Sequence, residues 1–333
     1  MPKPSSRPSS PDSRSRVTAI RPPVATEPPP TVSGRWLIAA LALTVVAAAL
    51  CSYGALCLLF YQGQWQLLFH PSRAVTTTPA SAGLPFDDIH FDVTDTGVPR
   101  LDGWWIPAAP QAPWSSATVL YLHGSRGSLS DCVPALAALH ELGVNVFAID
   151  YQGFGRSAGR HPTERLLDDD SAAAWAYLTH ERHIPARAIV VYGDGVGATL
   201  AALLAARFAP AGVVLQDPNP TARRIFLDDA RARILPLFLL QKEFLDPAAD
   251  LARAHSPLPV PRLFLDVHTT PARTVPTGPF TPAFSTPAGP ARNTRAQQLF
   301  ELSSSPKQYF DLRRAPAGAW LATLRRFLDE VLH

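Results

Sequence analysis

One uncharged stretch constrains this chain more than any other feature of its sequence. Residues 36–61 read WLIAALALTVVAAALCSYGALCLLFY, 26 residues without a charged side chain. As a helix they would extend roughly 39 Å, against a bilayer hydrocarbon core of about 30 Å. The stretch is longer than the ~7–15 apolar residues of a signal peptide, and no obvious cleavage site follows it. We therefore interpret 35–62 as an uncleaved transmembrane helix.

A basic tail precedes this stretch. Residues 1–34 are rich in Pro, Ser, Thr and Arg and have almost no large apolar side chains, so we expect them to be disordered. The charges up to residue 35 sum to +4, whereas the whole chain carries +3. The isoelectric point near 8.9 therefore reflects the tail. A basic surface for nucleic acid is excluded, and we expect no nucleic-acid partner.

The same charges predict the orientation of the span. Six basic residues precede it and only Arg73 follows it within about 20 residues. We therefore predict a single-pass protein of the cell membrane, with a cytoplasmic N-terminus and a folded domain outside, in the periplasm if the organism is bacterial. Cys51, Cys57 and Cys132 are too few for a disulfide scaffold and lack metal-ligand spacing. We predict neither a metal nor another cofactor.

Beyond the span, segments typical of strands alternate with segments typical of helices. The strand-like runs lie at 86–93, 100–106, 117–122, 145–149, 188–192, 212–215, 262–267 and 307–312. The helical patterns lie at 131–142, 163–182, 196–208 and 317–332. This alternation predicts an α/β domain over 65–333 with a mainly parallel sheet between helices. Trp104 and Trp105, adjacent in one strand, should face opposite sides of that sheet.

Three glycine-containing turns follow predicted strands. They read LHGSRG at 122–127, DYQGFGRS at 150–157 and VYGDGVGA at 191–198. In the first turn, His123, Gly124 and Ser125 form a candidate oxyanion or ligand loop. A turn that only reverses the chain is an equally good interpretation of these residues. The acidic run at 168–170 is interpreted as the charged start of a helix rather than as a metal site.

In this order and spacing the three turns resemble those of the α/β-hydrolase superfamily. More narrowly, they resemble its membrane-anchored serine-hydrolase branch, often described as serine aminopeptidase-like. The segments LLFHPS at 67–72 and GWWIP at 103–107 are similar to that branch as well, so the resemblance covers about 65–333. It implies the α/β-hydrolase fold and, for a working enzyme, hydrolysis of esters, amides or lipids.

The third turn departs from the family at its central residue. The family's nucleophile elbow is G-x-S-x-G, in which the flanking glycines permit a sharp turn and the serine projects over the sheet. Here Gly193 and Gly197 are kept, with Asp194 and Val196 between them, but Gly195 stands in place of the serine. Glycine has no side chain that could attack a carbonyl. The elbow is therefore predicted to be vestigial.

The acid and the base of the triad are also missing from their expected places. Ala272 occupies the position that the family's acid would take, and the loop 313–318, where the base is expected, contains no histidine. The Pro/Thr-rich stretch 268–295 reads as a long irregular insertion at the position of the acid loop. Three absent groups predict loss of the reaction rather than relocation of one residue.

These observations lead to one preferred hypothesis and two alternatives. The preferred one is a membrane-anchored pseudo-hydrolase that acts by binding a lipid or acyl-like ligand or a protein partner. The first alternative is an active esterase, lipase or peptidase that uses Ser125 or Cys132 with His268 and Asp266. The second is a scaffold that displays the proline-rich segments to partners. A fold by itself does not decide among them.

Overall fold

The computed structural model describes residues 33–92, 100–159, 161–229, 232–244, 246, 260–267, 294–316 and 318–333. Most of the tail at 1–34 and of the insertion at 268–295 lies outside the described residues. Ala272 and His268, which bear on the predicted acid loop, lie outside them too.

The apolar stretch forms one long helix, α1 (Gly34–Gly63). It is long and apolar enough to cross a membrane by length and composition, with a mean hydropathy of 2.2 over its most apolar window. The chain divides into two compact units, Met1–Tyr53 and Gly54–His333. The last turns of α1 thus belong to the same unit as the sheet. This unit begins at Gly54, whereas the sequence predicted a domain that begins near residue 65.

An eight-stranded sheet is the centre of the second unit as far as the structure describes it. Its strands are β1 (Asp87–Phe91), β2 (Leu101–Ile106), β3 (Trp114–Leu122), β4 (Val144–Asp150), β5 (Ile189–Asp194), β6 (Gly212–Gln216), β7 (Arg262–Asp266) and β8 (Lys307–Asp311). Their order across the sheet is β8-β7-β6-β5-β3-β4-β2-β1; β2 pairs antiparallel with both β1 and β4, and the other neighbouring strands pair in parallel. The predicted mainly parallel sheet is confirmed.

The central strands are apolar because helices cover both faces of the sheet. In β6 and β7 every residue is buried, as expected of parallel strands in an α/β protein. Trp105 packs in the core on one face and Trp104 in the core on the other, which confirms their predicted opposite orientations. The two faces hold two separate hydrophobic clusters.

The helices follow the strands as predicted, with shifted ends. They are α2 (Leu129–His140), α3 (Glu164–Ala176), α4 (Val196–Phe208), α5 (Ala222–Asp228), α6 (Leu237–Leu240), α7 (Arg295–Leu302) and α8 (Ala319–Leu332). Ser128 and Asp131 form a capping box that starts α2 two residues before the predicted start. Thr163 caps α3 through a hydrogen bond from the Leu166 amide, as its sequence position suggested.

The chain changes direction across the sheet after β4. It passes from β3 to β4 on one side of β3 and then to β5 on the other side. In open α/β sheets, ligands bind outside the carboxyl ends of the strands at such a switch point. Here the switch point lies between the loop after β3 and the turn after β5, which are the first and third glycine-containing turns of the sequence.

Candidate active site

The turn after β5 has the geometry of a nucleophile elbow. Gly193 and Asp194 end the strand, Val196 begins α4, and Gly195 between them has φ +58° and ψ −112°. A positive φ of this size favours glycine over residues with a side chain. The Gly195 amide donates to the Gln216 carbonyl at 3.0 Å, which ties the turn to the end of β6.

The two flanking glycines are required by close backbone contacts. A Cβ atom on Gly193 would lie 2.1 Å from the Gly197 carbonyl oxygen, and one on Gly197 would lie 2.0 Å from the Leu122 carbonyl oxygen. Both distances are far inside van der Waals contact, and backbone atoms cannot move aside cheaply. Gly193 and Gly197 therefore let the strand, the turn and the helix approach each other this closely.

Gly195 differs because its position has room for a side chain. A Cβ atom there would lie 3.5 Å from Asn219 Oδ1 and 3.6 Å from Gly124 Cα, which are ordinary contacts. The place that a nucleophile would occupy is thus present, at the switch point and beside the first turn. What it lacks is a hydroxyl or thiol.

The loop after β3 is held against the entry of the domain. His70 and Pro71 pair in parallel with Arg126 and Gly127, and the His70 amide donates to the Ser125 carbonyl at 2.7 Å. No described residue hydrogen-bonds to the Ser125 hydroxyl, so the structure does not pair this serine with a base. Gly124 lines the position beside Gly195 through its Cα.

His123, the conspicuous histidine of this loop, is buried and uncharged. Its Nδ1 lies 2.8 Å from the Gly124 carbonyl oxygen, and because a carbonyl only accepts, Nδ1 carries the proton. Nε2 lies 3.6 Å from Asp150 Oδ1, and the ring packs against Tyr151 and Phe154. Burial lowers the pKa of His123 to about 4. It therefore orders the loop and is not aimed at the elbow.

The second turn is positioned by buried carboxylates. Asp150 Oδ1 accepts from the Leu129 amide at 2.9 Å, and burial raises the pKa of Asp150 to about 7. Asp170 Oδ2 and Oδ1 accept from the amide and the side-chain nitrogen of Gln152, each at 2.7 Å. The acidic run 168–170 was predicted to be only the charged start of a helix. The structure adds a second role, because Asp170 is buried and holds the second turn through Gln152.

A network of polar side chains links the last helix to the strands beneath the elbow. Trp320 in the first turn of α8 donates from Nε1 to Tyr192 Oη and Gln216 Oε1, both at 3.0 Å. The Tyr192 hydroxyl also donates to Gln216 Oε1, and Gln216 Nε2 donates to Asp194 Oδ1 at 3.3 Å. The resemblance places the family's base in the loop 313–318, directly before α8. The residue that links this part of the chain to Tyr192 and Gln216 is Trp320, whose indole is not a base.

Asp266, the acid of the alternative hypothesis, already has structural partners. It ends β7, is buried, and accepts from the Tyr309 hydroxyl at 2.8 Å and from the Thr294 hydroxyl. Burial raises the pKa of this carboxyl. These bonds join β7, β8 and the start of α7. The described residues place no histidine in contact with Asp266.

Cys132, the other alternative nucleophile, lies in α2 and contacts the backbone of the preceding turn. Its Sγ lies 3.6 Å from the Ser128 carbonyl oxygen one turn earlier in α2. Burial raises the pKa of the thiol far above its ordinary value. Since the thiolate is the nucleophilic form, Cys132 is not prepared for attack.

The sequence pointed to the three turns but not to all of their neighbours. The sequence did not point to Asn219, which borders the open side of Gly195, or to Trp320, which hydrogen-bonds from α8 to Tyr192 and Gln216. Gln216 directly follows the predicted strand 212–215, and this position at a strand end was the available signal for the network. Trp320 gave none, because a tryptophan in an amphipathic helix usually packs in the core.

The comparisons with known proteins agree with this geometry. Residues 114–241 match the family described as serine aminopeptidase, S33. The uncharacterised protein Rv2307c of Mycobacterium tuberculosis is 32% identical over 221 residues, which are 65% of this chain and 75% of that protein. The human alpha/beta hydrolase domain-containing protein 17B is 32% identical over 135 residues, 40% of this chain and 45% of that protein.

A solved structure shares the same fold. The esterase Pf2001 of Pyrococcus furiosus superposes with a TM-score of 0.55 over 80% of this chain and 99% of its own, at 19% sequence identity. At that identity the likeness concerns the arrangement of the sheet and helices. It leaves the chemistry of the elbow to be argued from the residues of this chain.

Proposed function

This chain belongs to the α/β-hydrolase superfamily, and from that premise we propose that it is a non-catalytic member, a pseudo-hydrolase that α1 anchors in a membrane. It acts by binding a ligand or partner at or near the old active site. The observation that carries the proposal is Gly195, which takes the backbone conformation of the elbow without a reactive side chain.

The chemistry of the superfamily depends on the residue at this position. A serine or cysteine there attacks the substrate carbonyl and carries the acyl group, which glycine cannot do. In a measured triad enzyme, loss of the nucleophile removes on the order of a million-fold in turnover. The remaining oxyanion and binding groups cannot compensate for a loss of that size.

Among the residues that the structure describes, the neighbours of Gly195 supply no second route. The atoms nearest to its open side belong to Asn219 and Gly124, and neither residue is a general base. His123 is engaged with the Gly124 carbonyl, and its low pKa makes it a poor proton acceptor at neutral pH. Trp320 and Gln216, which link α8 to the strands beside the elbow, are neutral hydrogen-bonding groups and supply no base. The turn keeps the backbone conformation of a nucleophile elbow but has no reactive side chain at its centre.

Binding remains chemically reasonable at the same place. The amides of Val196 and Gly197, the first two of α4, follow directly after Gly195 and have no acceptor within the helix, whereas the Ala198 amide donates to the Gly195 carbonyl at 3.3 Å. These two amides offer hydrogen-bond donors to a carbonyl or carboxylate oxygen, and Asn219 borders the same position with Oδ1, an acceptor. An acyl-like ligand would place such an oxygen beside the empty position. This supports a lipid or acyl-like ligand as the class to test first.

The anchoring part of the proposal depends on α1. Its 30 residues would extend roughly 45 Å, more than the ~30 Å hydrocarbon core. The basic residues before it and the scarcity of them after it support a cytoplasmic N-terminus and an extracytoplasmic domain.

An activity test with the full chain in detergent separates this proposal from an active hydrolase. The protein is treated with a serine-reactive fluorophosphonate and assayed on a panel of p-nitrophenyl esters, beside an active α/β-hydrolase as a positive control. We expect neither labelling nor turnover above the buffer rate. Labelling or turnover that disappears in a Ser125→Ala or a Cys132→Ala variant would overturn the proposal.

A further inference from the structure

An apolar surface lies on the segment between β6 and β7. Ile234, Phe238, Leu239 and Phe244 are 61–81% exposed, although soluble domains rarely leave so many large apolar side chains together in water. We call these four residues the apolar face of segment 222–244. They lie within eleven residues of one another in the sequence, around the short helix α6.

This exposure is part of an organised segment. The same stretch buries Phe226, Leu235 and Leu237 in the domain core, so its inward positions are already filled. In α6 the chain turns Leu237 inward and the next two residues outward. The segment therefore has an inner apolar side, which packs, and an outer apolar side, which no described residue covers.

The segment is attached directly to the end of α1. Phe60 packs edge-on against Phe226 with 5.3 Å between ring centroids, and the Lys242 ammonium lies 3.5 Å from the centre of the Tyr61 ring. Gln64 is almost fully buried between them. Its Nε2 donates to the Leu240 carbonyl at 3.1 Å, and its Oε1 accepts from the Lys242 amide at 2.8 Å.

A small apolar groove continues this contact. About 210 Å³ in volume, it lies between the last turns of α1 and the residues before α6, and its lining includes Leu56, Leu59, Phe60, Ala232 and Leu235. The residues of α1 from Gly54 onward belong to the same compact unit as this segment. The apolar face thus adjoins the point at which α1 joins the domain.

The length of α1 explains where that point lies relative to a bilayer. Crossing ~30 Å of hydrocarbon takes about 20 residues, whereas α1 has 30. About 10 residues are therefore left over, and the last ten, 54–63, are those that the domain includes. Tyr61 lies in this stretch and is exposed, and aromatic rings of this kind are typical of the membrane interface.

The charged residues of segment 222–244 also favour contact between its apolar face and a membrane surface. Over 222–244 the sequence carries five basic and three acidic residues. Arg223, Arg233 and Lys242 are exposed, and Glu243 is buried and accepts from the Glu164 amide at 2.6 Å. The exposed Asp228 pairs with Arg224 at 3.3 Å. Exposed cations beside an apolar face suit a leaflet that contains anionic headgroups.

We propose that the apolar face of segment 222–244 docks on the surface of the bilayer that α1 enters, with its four side chains at the boundary between headgroups and acyl chains. The inference rests on the anchoring part of the proposed function and not on the loss of the triad. The domain would then be held by two contacts, a spanning helix and a surface segment, so its orientation on the membrane would be defined.

Depth-dependent quenching tests this in the full chain. A single cysteine is introduced at Phe238→Cys in a background with Cys51, Cys57 and Cys132 replaced by alanine, and labelled with the fluorophore NBD. The protein is reconstituted in phosphatidylcholine vesicles containing phosphatidylglycerol, with or without nitroxide-labelled phosphatidylcholine. Two controls are labelled alike: Leu302→Cys, an apolar residue of similar exposure on α7, and Val45→Cys within α1.

We expect the nitroxide lipid to quench the labels at 238 and 45 and to leave the label at 302 nearly unchanged. If the label at 45 is quenched while the label at 238 behaves like that at 302, the docking inference is wrong and the anchor stands. If the label at 45 is not quenched either, the anchoring itself fails, and the docking inference fails with it.

A second measurement uses the unmodified chain in case the cysteine-free background does not fold. Vesicles carrying a diazirine-bearing phosphatidylcholine are irradiated, and the crosslinked peptides are mapped by mass spectrometry. We expect lipid adducts on peptides from 234–244 in addition to those from α1. Adducts on α1 with none on 234–244 would refute docking.

Discussion

Substitution of Gly195 tests whether the elbow keeps its conformation without its nucleophile. In Gly195→Ser, the new Cβ would meet Asn219 Oδ1 at 3.5 Å and Gly124 Cα at 3.6 Å, so no steric clash is expected. The cost comes from φ +58° and ψ −112°, where a residue other than glycine is strained by about 1–3 kcal/mol. The lower freedom of the unfolded chain offsets about 0.4–1 kcal/mol. We expect a net loss of about 1–2 kcal/mol.

Two matched variants calibrate that number. Gly193→Ala would place Cβ 2.1 Å from the Gly197 carbonyl oxygen, and overpacking costs about 1–3 kcal/mol even where neighbours can yield. Because the neighbour here is backbone, we expect a cost at or beyond the upper end of that range. Gly83→Ser lies at φ +73° and ψ 16°, in the left-handed helical region, with no atom within 4 Å, so it measures the milder strain of that region without crowding.

The assay is urea unfolding of the full chain in detergent, followed by tryptophan fluorescence. The expected order of destabilisation is Gly193→Ala above Gly195→Ser above Gly83→Ser, because residues with side chains adopt the left-handed helical region of Gly83 more readily than the φ and ψ of Gly195. Equal losses in Gly193→Ala and Gly195→Ser would show that position 195 has no free space. Ester turnover by Gly195→Ser would refute the argument that base and acid are missing, because serine alone cannot supply them.

Three further predictions follow from the same structure. Burial raises the pKa of Asp170 from 3.8 to about 7, so the folded state favours its protonated form. The free energy of unfolding of the wild type relative to Asp170→Asn should therefore fall as pH rises from about 4 to about 7, by up to ~1.4 kcal/mol per pH unit; a flat difference in urea titrations would contradict this. Trp320→Phe removes the donor to Gln216 Oε1 and Tyr192 Oη and should cost about 1 kcal/mol in the same assay, whereas no change would show that the network contributes nothing. Alkaline phosphatase fused after His333 should be active in a bacterial host if the domain is extracytoplasmic, and an inactive fusion beside an active cytoplasmic reporter at the same site would reverse the predicted orientation.

The elbow illustrates how a fold can keep a catalytic shape for reasons of packing. Gly193 and Gly197 are needed wherever β5, its turn and α4 approach the end of β3 this closely, whether or not a reaction takes place. Gly195 relaxes the strain that a serine would carry at the same φ and ψ. The substitution that removes the nucleophile is thus expected to favour the stability of the turn.

Much of the fold could be read from local patterns. The apolar runs predicted every strand of the sheet to within a few residues, and α4 begins and ends where its sequence pattern does. The glycine spacing around Gly195 identified the elbow and its missing hydroxyl. These features are local: a strand pattern, a turn pattern and the identity of the residue at the centre of the elbow each depend on a few consecutive residues.

The tertiary structure decided which distant residues meet. The contact between Trp320 and Gln216 joins residues 104 positions apart, and that between Asp170 and Gln152 joins residues 18 apart. A short sequence pattern therefore could not predict either contact. In the same way, Leu237 and Phe238 are equally apolar in the sequence, but one is buried in the core and the other is 81% exposed. Hydrophobicity measures how favourable it is to remove a side chain from water, whereas the folded chain determines which side chains find a surface to cover them.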